Sequence, residues 1–248
     1  MGLANRKYCK NCGNLASGKY CQDCGQRTTV HRVTFRETFE DFIESVFTVN
    51  APFFLTLKGL ALNPGKLFAD FLSGKRKTYY KPVAFFVLTT IVYLLIRSII
   101  DFDPFQDSSV IAVDENQGTQ LITLARNYML LNINKLLFIL VFTLAMFLKL
   151  FFYKIHSLSE FLVVSFYLTG VYTIFTTLNM FYIEYIDSKF QAWGILFMGA
   201  YFVFAMVSFI NKKRIWVVLK SIPVFFLAYV FYMVLAFVFS YVIVSFKN

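Results

Sequence analysis

Gly74-Lys-Arg-Lys-Thr-Tyr-Tyr-Lys-Pro82 runs directly into Val83-Ala-Phe-Phe-Val-Leu-Thr-Thr-Ile-Val-Tyr-Leu-Leu-Ile96, a cationic aromatic segment followed at once by an uncharged apolar run. A helix needs about 20 such residues to cross the hydrocarbon core of a bilayer. Lys, Arg and Tyr at the mouth of the run suit the headgroup level, where each cation gains roughly 1 kcal/mol from anionic lipid. Residues 82–100 are therefore read as a membrane span, and that reading sets the fold class for the rest of the chain.

Toward the C-terminus, four more apolar runs follow at residues 136–153, 161–183, 192–210 and 222–246, with Pro223 suited to the first turn of the last. Residues 120–135 carry Arg126, Asn127 and Asn132 and are too polar for a span, so they read as an amphipathic interfacial helix. Composition agrees with lipid as the solvent. Mean hydropathy is +0.62, and 32 Phe and 15 Tyr are more aromatic surface than a soluble chain of 248 residues could readily hide from water.

The net charge of +10 would suggest nucleic acid in a soluble protein, but here its placement decides. Thirteen basic residues precede Pro82, and the connections after the second and fourth runs carry Lys154, then Lys212, Lys213, Arg214 and Lys220. Those sides are expected to be cytosolic. The connection after the first run instead holds Asp101, Asp103, Asp107, Asp114 and Glu115, and the one after the third holds Glu184 and Asp187. These are expected to face outward, giving five spans with the N-terminus inside and the C-terminus outside. Residues 1–33 show no apolar core of a signal peptide, so the first span is expected to direct insertion.

Toward the N-terminus, all four cysteines fall in two C-x-x-C-G knuckles, Cys9-Lys-Asn-Cys12-Gly13 and Cys21-Gln-Asp-Cys24-Gly25. Four thiolates from two tight turns match a closed tetrahedral zinc site, and each glycine supplies the positive φ such a turn needs. Iron would accept the same ligands. His31, beside the ribbon, is not required as a fifth ligand. Zinc thiolates need a reducing compartment, which again places the N-terminus in the cytosol.

Residues 1–30 thus form a zinc ribbon, 31–81 a set of cytosolic interfacial helices ending in the basic aromatic segment, and 82–248 the membrane bundle. Thr34-Phe-Arg-Glu37 has a capping-box pattern, followed by Phe35, Phe39, Phe42, Ile43, Val46 and Phe47 at helical spacing. Asn50-Ala-Pro52 and Asn63-Pro64 are expected to open two more short helices, with Gly74 ending the second. Lys75, Arg76, Lys77 and Lys81 are topogenic charge on the plain reading, and a lipid-headgroup or anion site on the sharper one.

The order of Cys24-Gly-Gln26, a helical linker, Asn63-Pro-Gly-Lys66, Gly74-Lys-Arg76 and Tyr80-Lys-Pro82 resembles an uncharacterised bacterial membrane family common in Bacteroidetes. The resemblance covers residues 9–95. It implies an N-terminal zinc ribbon, a variable set of spans and a place in the bacterial inner membrane, and no reaction. Five spans behind a cytosolic N-terminus also resemble the Yip1-like membrane proteins, by topology alone.

No hydrolase, phosphate-loop or nucleophile-elbow pattern is present, and His31 and His156 are the only histidines. A non-enzyme is expected. Arg97 and Lys149 sit near span ends where they can snorkel, Arg97 with Asp101 four residues on as an ion-pair partner. Lys149, Asn179 and Gln191, with Thr169, Thr173, Thr176 and Thr177, are the candidates for a polar path, although Thr and Asn also join helices to one another.

The expected fold class is an all-α polytopic membrane protein of about five transmembrane helices with a small zinc ribbon. Its expected role is an adaptor, assembly or regulatory subunit whose ribbon docks a protein partner, with anionic lipid at the cytosolic face and self-association also compatible. A lipid- or solute-handling protein is the alternative. A nucleic-acid or ribosome contact through Lys7, Lys10, Lys19 and Arg27 comes third.

Overall fold

The computed structural model describes residues 7–16, 18–29, 51–102, 117–133, 135–186 and 193–247. The helix expected at residues 34–47, His31, the acidic residues Asp103, Asp107, Asp114, Glu115 and Asp187, and Gln191 lie outside them. Among the described residues the chain forms one antiparallel strand pair and eight helices. The strands are β1 (Lys7–Tyr8) and β2 (Leu15–Ala16). The helices are α1 (Ala51–Leu62), α2 (Pro64–Ser73), α3 (Pro82–Ile99), α4 (Gln117–Leu131), α5 (Leu137–Phe151), α6 (Leu158–Tyr185), α7 (Trp193–Phe209) and α8 (Arg214–Lys247).

Local chemistry sets the helix ends. Asn63 Oδ1 accepts from Lys66 N at 3.2 Å, Pro64 fills the first turn of α2, and Gly74 ends it in the left-handed region with φ 117°. Ser157 and Glu160 form a reciprocal capping box at the start of α6. That start lies three residues before the expected one, and the pattern Ser157-Leu-Ser-Glu160 is its local signature. The last helix also begins earlier than expected, at Arg214 rather than 222, so Pro223 lies inside α8 and withholds one helical hydrogen bond instead of opening a span.

Three helices, α3, α6 and α8, are long and apolar enough to cross a membrane. The other two expected spans form shorter apolar helices. At 1.5 Å per residue α5 reaches about 22 Å and α7 about 26 Å, against a hydrocarbon core of about 30 Å. The chain leaves α5 at Phe152, where the backbone turns before the α6 cap.

Helix α6 is the axis of the bundle. Of its most apolar stretch 67 % is buried, against 33 % for α3 and 28 % for α8, whose outer faces are left exposed. Every residue from Phe161 to Val171 is buried. Phe85 and Phe86 of α3 meet α6 at Gly170, where a Cβ would lie 2.6 Å from the Phe85 ring. Eight to ten residues further along both helices, Tyr93 packs with Met180, so α3 and α6 run in the same direction. Helix α5 runs against α8, since Lys220 Nζ reaches the Phe151 carbonyl at 3.0 Å and Tyr232 Oη the Ile133 carbonyl at 3.1 Å. Helix α7 returns to α8 through residues 210–213.

Helix α2 packs on α7 and α6. Its Gly65 backbone touches α7 so closely that a Cβ would run into the Ser208 carbonyl. Ser208 Oγ joins the seam by donating to Asn63 Oδ1 at 3.0 Å and accepting from Gly65 N at 3.2 Å. Phe68 and Phe71 of α2 pack on the buried Tyr167 ring.

Candidate metal centre

The two cysteine knuckles are built alike. In the first, Cys9 N donates to Asn14 O at 2.8 Å and Gly13 N to Cys9 O at 2.9 Å; in the second, Cys21 N donates to Gln26 O at 2.7 Å and Gly25 N to Cys21 O at 2.9 Å. Gly13 and Gly25 take φ of 81° and 67°, the left-handed conformation that closes each loop around its cysteines. The strand pair supports the first knuckle, and a Tyr20–Arg27 bridge supports the second.

The four thiols converge. Cys9 Sγ lies 3.5 Å from Cys24 Sγ, Cys12 Sγ lies 3.6 Å from Cys21 Sγ, and all four sulfurs fall within 4.8 Å of one another. A tetrahedral ion with metal–sulfur bonds of about 2.3 Å places its ligands about 3.8 Å apart, so the cluster is close to the spacing that one metal ion requires. The four cysteines could therefore hold a metal ion. Burial opposes ionisation of Cys9, but the backbone N–H groups of Cys12 and Asn11 overcome it and bring its pKa down to about 7. Cys12 accepts a backbone hydrogen bond from Asn14 that favours its thiolate, yet burial and the neighbouring sulfurs push it up to about 12. Four thiolates in so small a volume would require a cation among them.

The centre is not free-standing. Gln26, 4 % exposed, reaches the segment between α2 and α3: its Nε2 donates to Gly74 O, and its Oε1 accepts from Arg76 N at 3.1 Å and Lys77 N at 3.2 Å. Asn11, inside the first knuckle, accepts on Oδ1 from Thr78 N at 3.1 Å and Thr78 Oγ1 at 2.6 Å. Two residues on, Tyr80 is fixed from the bundle side. Its N–H donates to Thr56 Oγ1 at 2.8 Å, and its carbonyl accepts from the Tyr167 hydroxyl at 2.5 Å. The sequence names Gln26 only as the end of the Cys24-Gly-Gln26 motif and gives no role to it, to Asn11 or to Thr78. No short-range pattern reveals a contact across 50 residues.

The basic segment is dispersed rather than gathered into one cationic cup. Lys75 Nζ pairs with Asp70 Oδ1 at 2.9 Å, and Asp70 Oδ2 accepts from the Tyr79 hydroxyl at 3.1 Å. Burial first, and Asp70 second, hold the Tyr79 phenol above its ordinary pKa, so it remains a donor. Arg76 is half-buried, Lys77 is exposed, and Lys81 precedes the first turn of α3.

Of the polar-path candidates within the described residues, Lys149 and Asn179 lie apart. Lys149 closes the end of α5, donating to the carbonyls of Tyr153 at 2.6 Å and His156 at 2.9 Å. Asn179 lies about 30 Å further along α6. Thr173, Thr176 and Thr177 donate to carbonyls four residues back on their own helix. Asn179 does line a cavity of about 230 Å³ with Arg97, Tyr93, Tyr172, Thr176 and Tyr229, at the end of the bundle away from the ribbon. There Arg97 donates to the carbonyls of Phe102 at 3.2 Å and Leu131 at 3.4 Å, instead of forming the expected pair with Asp101. Helix α3 has ended by then, and Asp101 sits in the left-handed region at φ 50°, out of helical register.

A family model described as a protein of unknown function (DUF3667) matches residues 51–94, which cover α1, α2 and most of α3. That stretch holds the Asn63-Pro-Gly-Lys66 and Tyr80-Lys-Pro82 motifs and the backbone that Gln26 and Asn11 grip. It includes none of the cysteines and bears on neither a bacterial source nor a Yip1-like likeness. No curated protein and no solved structure matches the chain.

Proposed function

We propose that the protein is an integral membrane adaptor or regulatory subunit of the bacterial cytoplasmic membrane, in which a zinc-stabilised ribbon is seated on the bundle and offers its outer side to a protein partner. One observation carries this reading. The ribbon is anchored along one side by Asn11 and Gln26, while Tyr8 and Leu15, opposed across β1 and β2, remain 71 % and 53 % exposed. An apolar pair held at a fixed place on the membrane face is a docking surface for a protein. Zinc supplies the cross-link that holds the ribbon folded, and the chain's own residues do the rest: the knuckles present Asn11 and Gln26 inward and the strand pair outward.

Five crossings account for the packing better than three. Helices α3, α6 and α8 run in the same direction, so a chain that crosses in all three must return between them, and α5 and α7 supply the return paths. On this reading Lys149, Lys154, Lys212, Lys213, Lys220 and the 74–81 segment share one end of the bundle with the ribbon. That is the cytosolic end by the distribution of Lys and Arg. The C-terminus is then periplasmic.

The test is affinity purification in gentle detergent with mass spectrometry. Wild type is expected to retain a stoichiometric protein partner that Tyr8→Ser/Leu15→Ser loses while keeping its metal. Transport or modification of a substrate by the purified chain alone would sink the proposal. A second reading, lipid or solute handling, is favoured by the cavity beside Arg97 and Asn179. Its test is whether Asn179→Leu, which removes the amide from the cavity wall, displaces lipid that copurifies with wild type.

A further inference from the structure

We infer that the ribbon is a metal-dependent latch on the membrane entrance: metal loading at the four cysteines orders residues 76–78 through Asn11 and Gln26. The inference rests on the metal-binding reading above and adds what that binding controls within the chain.

Asn11 lies between two of the ligands, and Gln26 stands two residues after the last. Both therefore take their positions from the knuckles. Among the described residues, the buried apolar cluster of the ribbon consists of Cys9, Ala16 and Cys21, with Cys24 against it. A core of that size does not fold a segment of this length by itself, so the metal–sulfur bonds are what fix Asn11 and Gln26 in space.

What they grip is a stretch of backbone outside any helix or strand. The N–H groups of Arg76, Lys77 and Thr78 and the carbonyl of Gly74 all turn to the two amide side chains, which act as a surrogate strand. Buried backbone groups that lose such partners are driven to seek water. The grip ends sharply at Tyr80, which Thr56 and Tyr167 hold from the bundle whatever the state of the ribbon. Lys75 stays with α2 through Asp70, which accepts from both its backbone N–H and its Nζ at 2.9 Å. Metal loss thus releases the backbone of Arg76, Lys77 and Thr78 without unseating α3, so the metal state of the ribbon decides where the cations of Arg76 and Lys77 stand.

Hydrogen–deuterium exchange on the full chain in mild detergent tests this, with metal content measured on the same samples. Chelation is expected to speed exchange at the amides of Arg76, Lys77 and Thr78 by roughly tenfold or more, the change that losing one or two hydrogen bonds implies. The Tyr80 amide should stay protected. Asn11→Ala/Gln26→Ala is expected to exchange as fast as the chelated wild type while still holding its metal. Gln26→Glu keeps the acceptor oxygens and should retain protection at Arg76 and Lys77. Loss of metal with no change at residues 76–78, or full protection in the double variant, overturns the latch and leaves the adaptor reading standing. A chain that binds no metal overturns the latch and the zinc ribbon together.

Discussion

At the scale of single residues, the ribbon depends on chemistry that no neighbour can replace. Cys9→Ser or Cys24→Ser removes one of four converging sulfurs. Metal content should fall from one ion per chain to near zero by elemental analysis, while the protein still fractionates with membranes, because the apolar helices lie elsewhere in the chain. Gly65 is the opposite case, a residue needed for what it lacks. Any side chain there meets the α7 backbone at Ser208, so Gly65→Val should cost about 1–3 kcal/mol of bundle stability or push α2 off its seat. Gly18, where an added methyl would meet nothing nearer than 3.7 Å, is the control. A thermal midpoint in detergent that falls equally for Gly18→Ala and Gly65→Val would refute the close contact.

At the scale of elements, the caps separate what the chain writes locally from what packing adds. Ser157 and Glu160 satisfy each other's backbone donors at the start of α6, an exchange completed within four residues. Ser157→Ala should lower stability by about 1 kcal/mol, read as a shift in thermal unfolding. Asn63 does more than its sequence position announces, since its side chain both caps α2 and accepts from Ser208 on α7. Asn63→Ala is therefore expected to cost more than Ser157→Ala, and an equal shift would mean that the Ser208 contact contributes nothing. The hydroxyls of Thr173, Thr176 and Thr177 show the converse. They look like a polar stripe in the sequence and bond only along their own helix.

At the scale of the whole molecule, direction of travel is the strongest constraint on topology. With α3, α6 and α8 parallel, reporter fusions after residues 154 and 213 should score as cytosolic and a fusion at the C-terminus as periplasmic. A cytosolic C-terminus would mean that one of the shorter helices, α5 or α7, does not cross. The sequence by itself determined the apolar runs, the thiolate quartet, the Asn63-Pro64 start and the Gly74 stop of α2, because each is a matter of hydropathy or of geometry within a few residues. It could not tell that two of the five runs make helices short of a full span, that Arg97 abandons Asp101 for two carbonyls, or that Lys149 closes the end of α5 beside the start of α6 while Asn179 lies near the far end of α6. Least of all did it show that Gln26 and Asn11 hold the backbone of residues 74–78. Those outcomes depend on which segments meet in space, and the energy of a buried amide gripping a distant backbone leaves no trace in periodicity, charge or spacing.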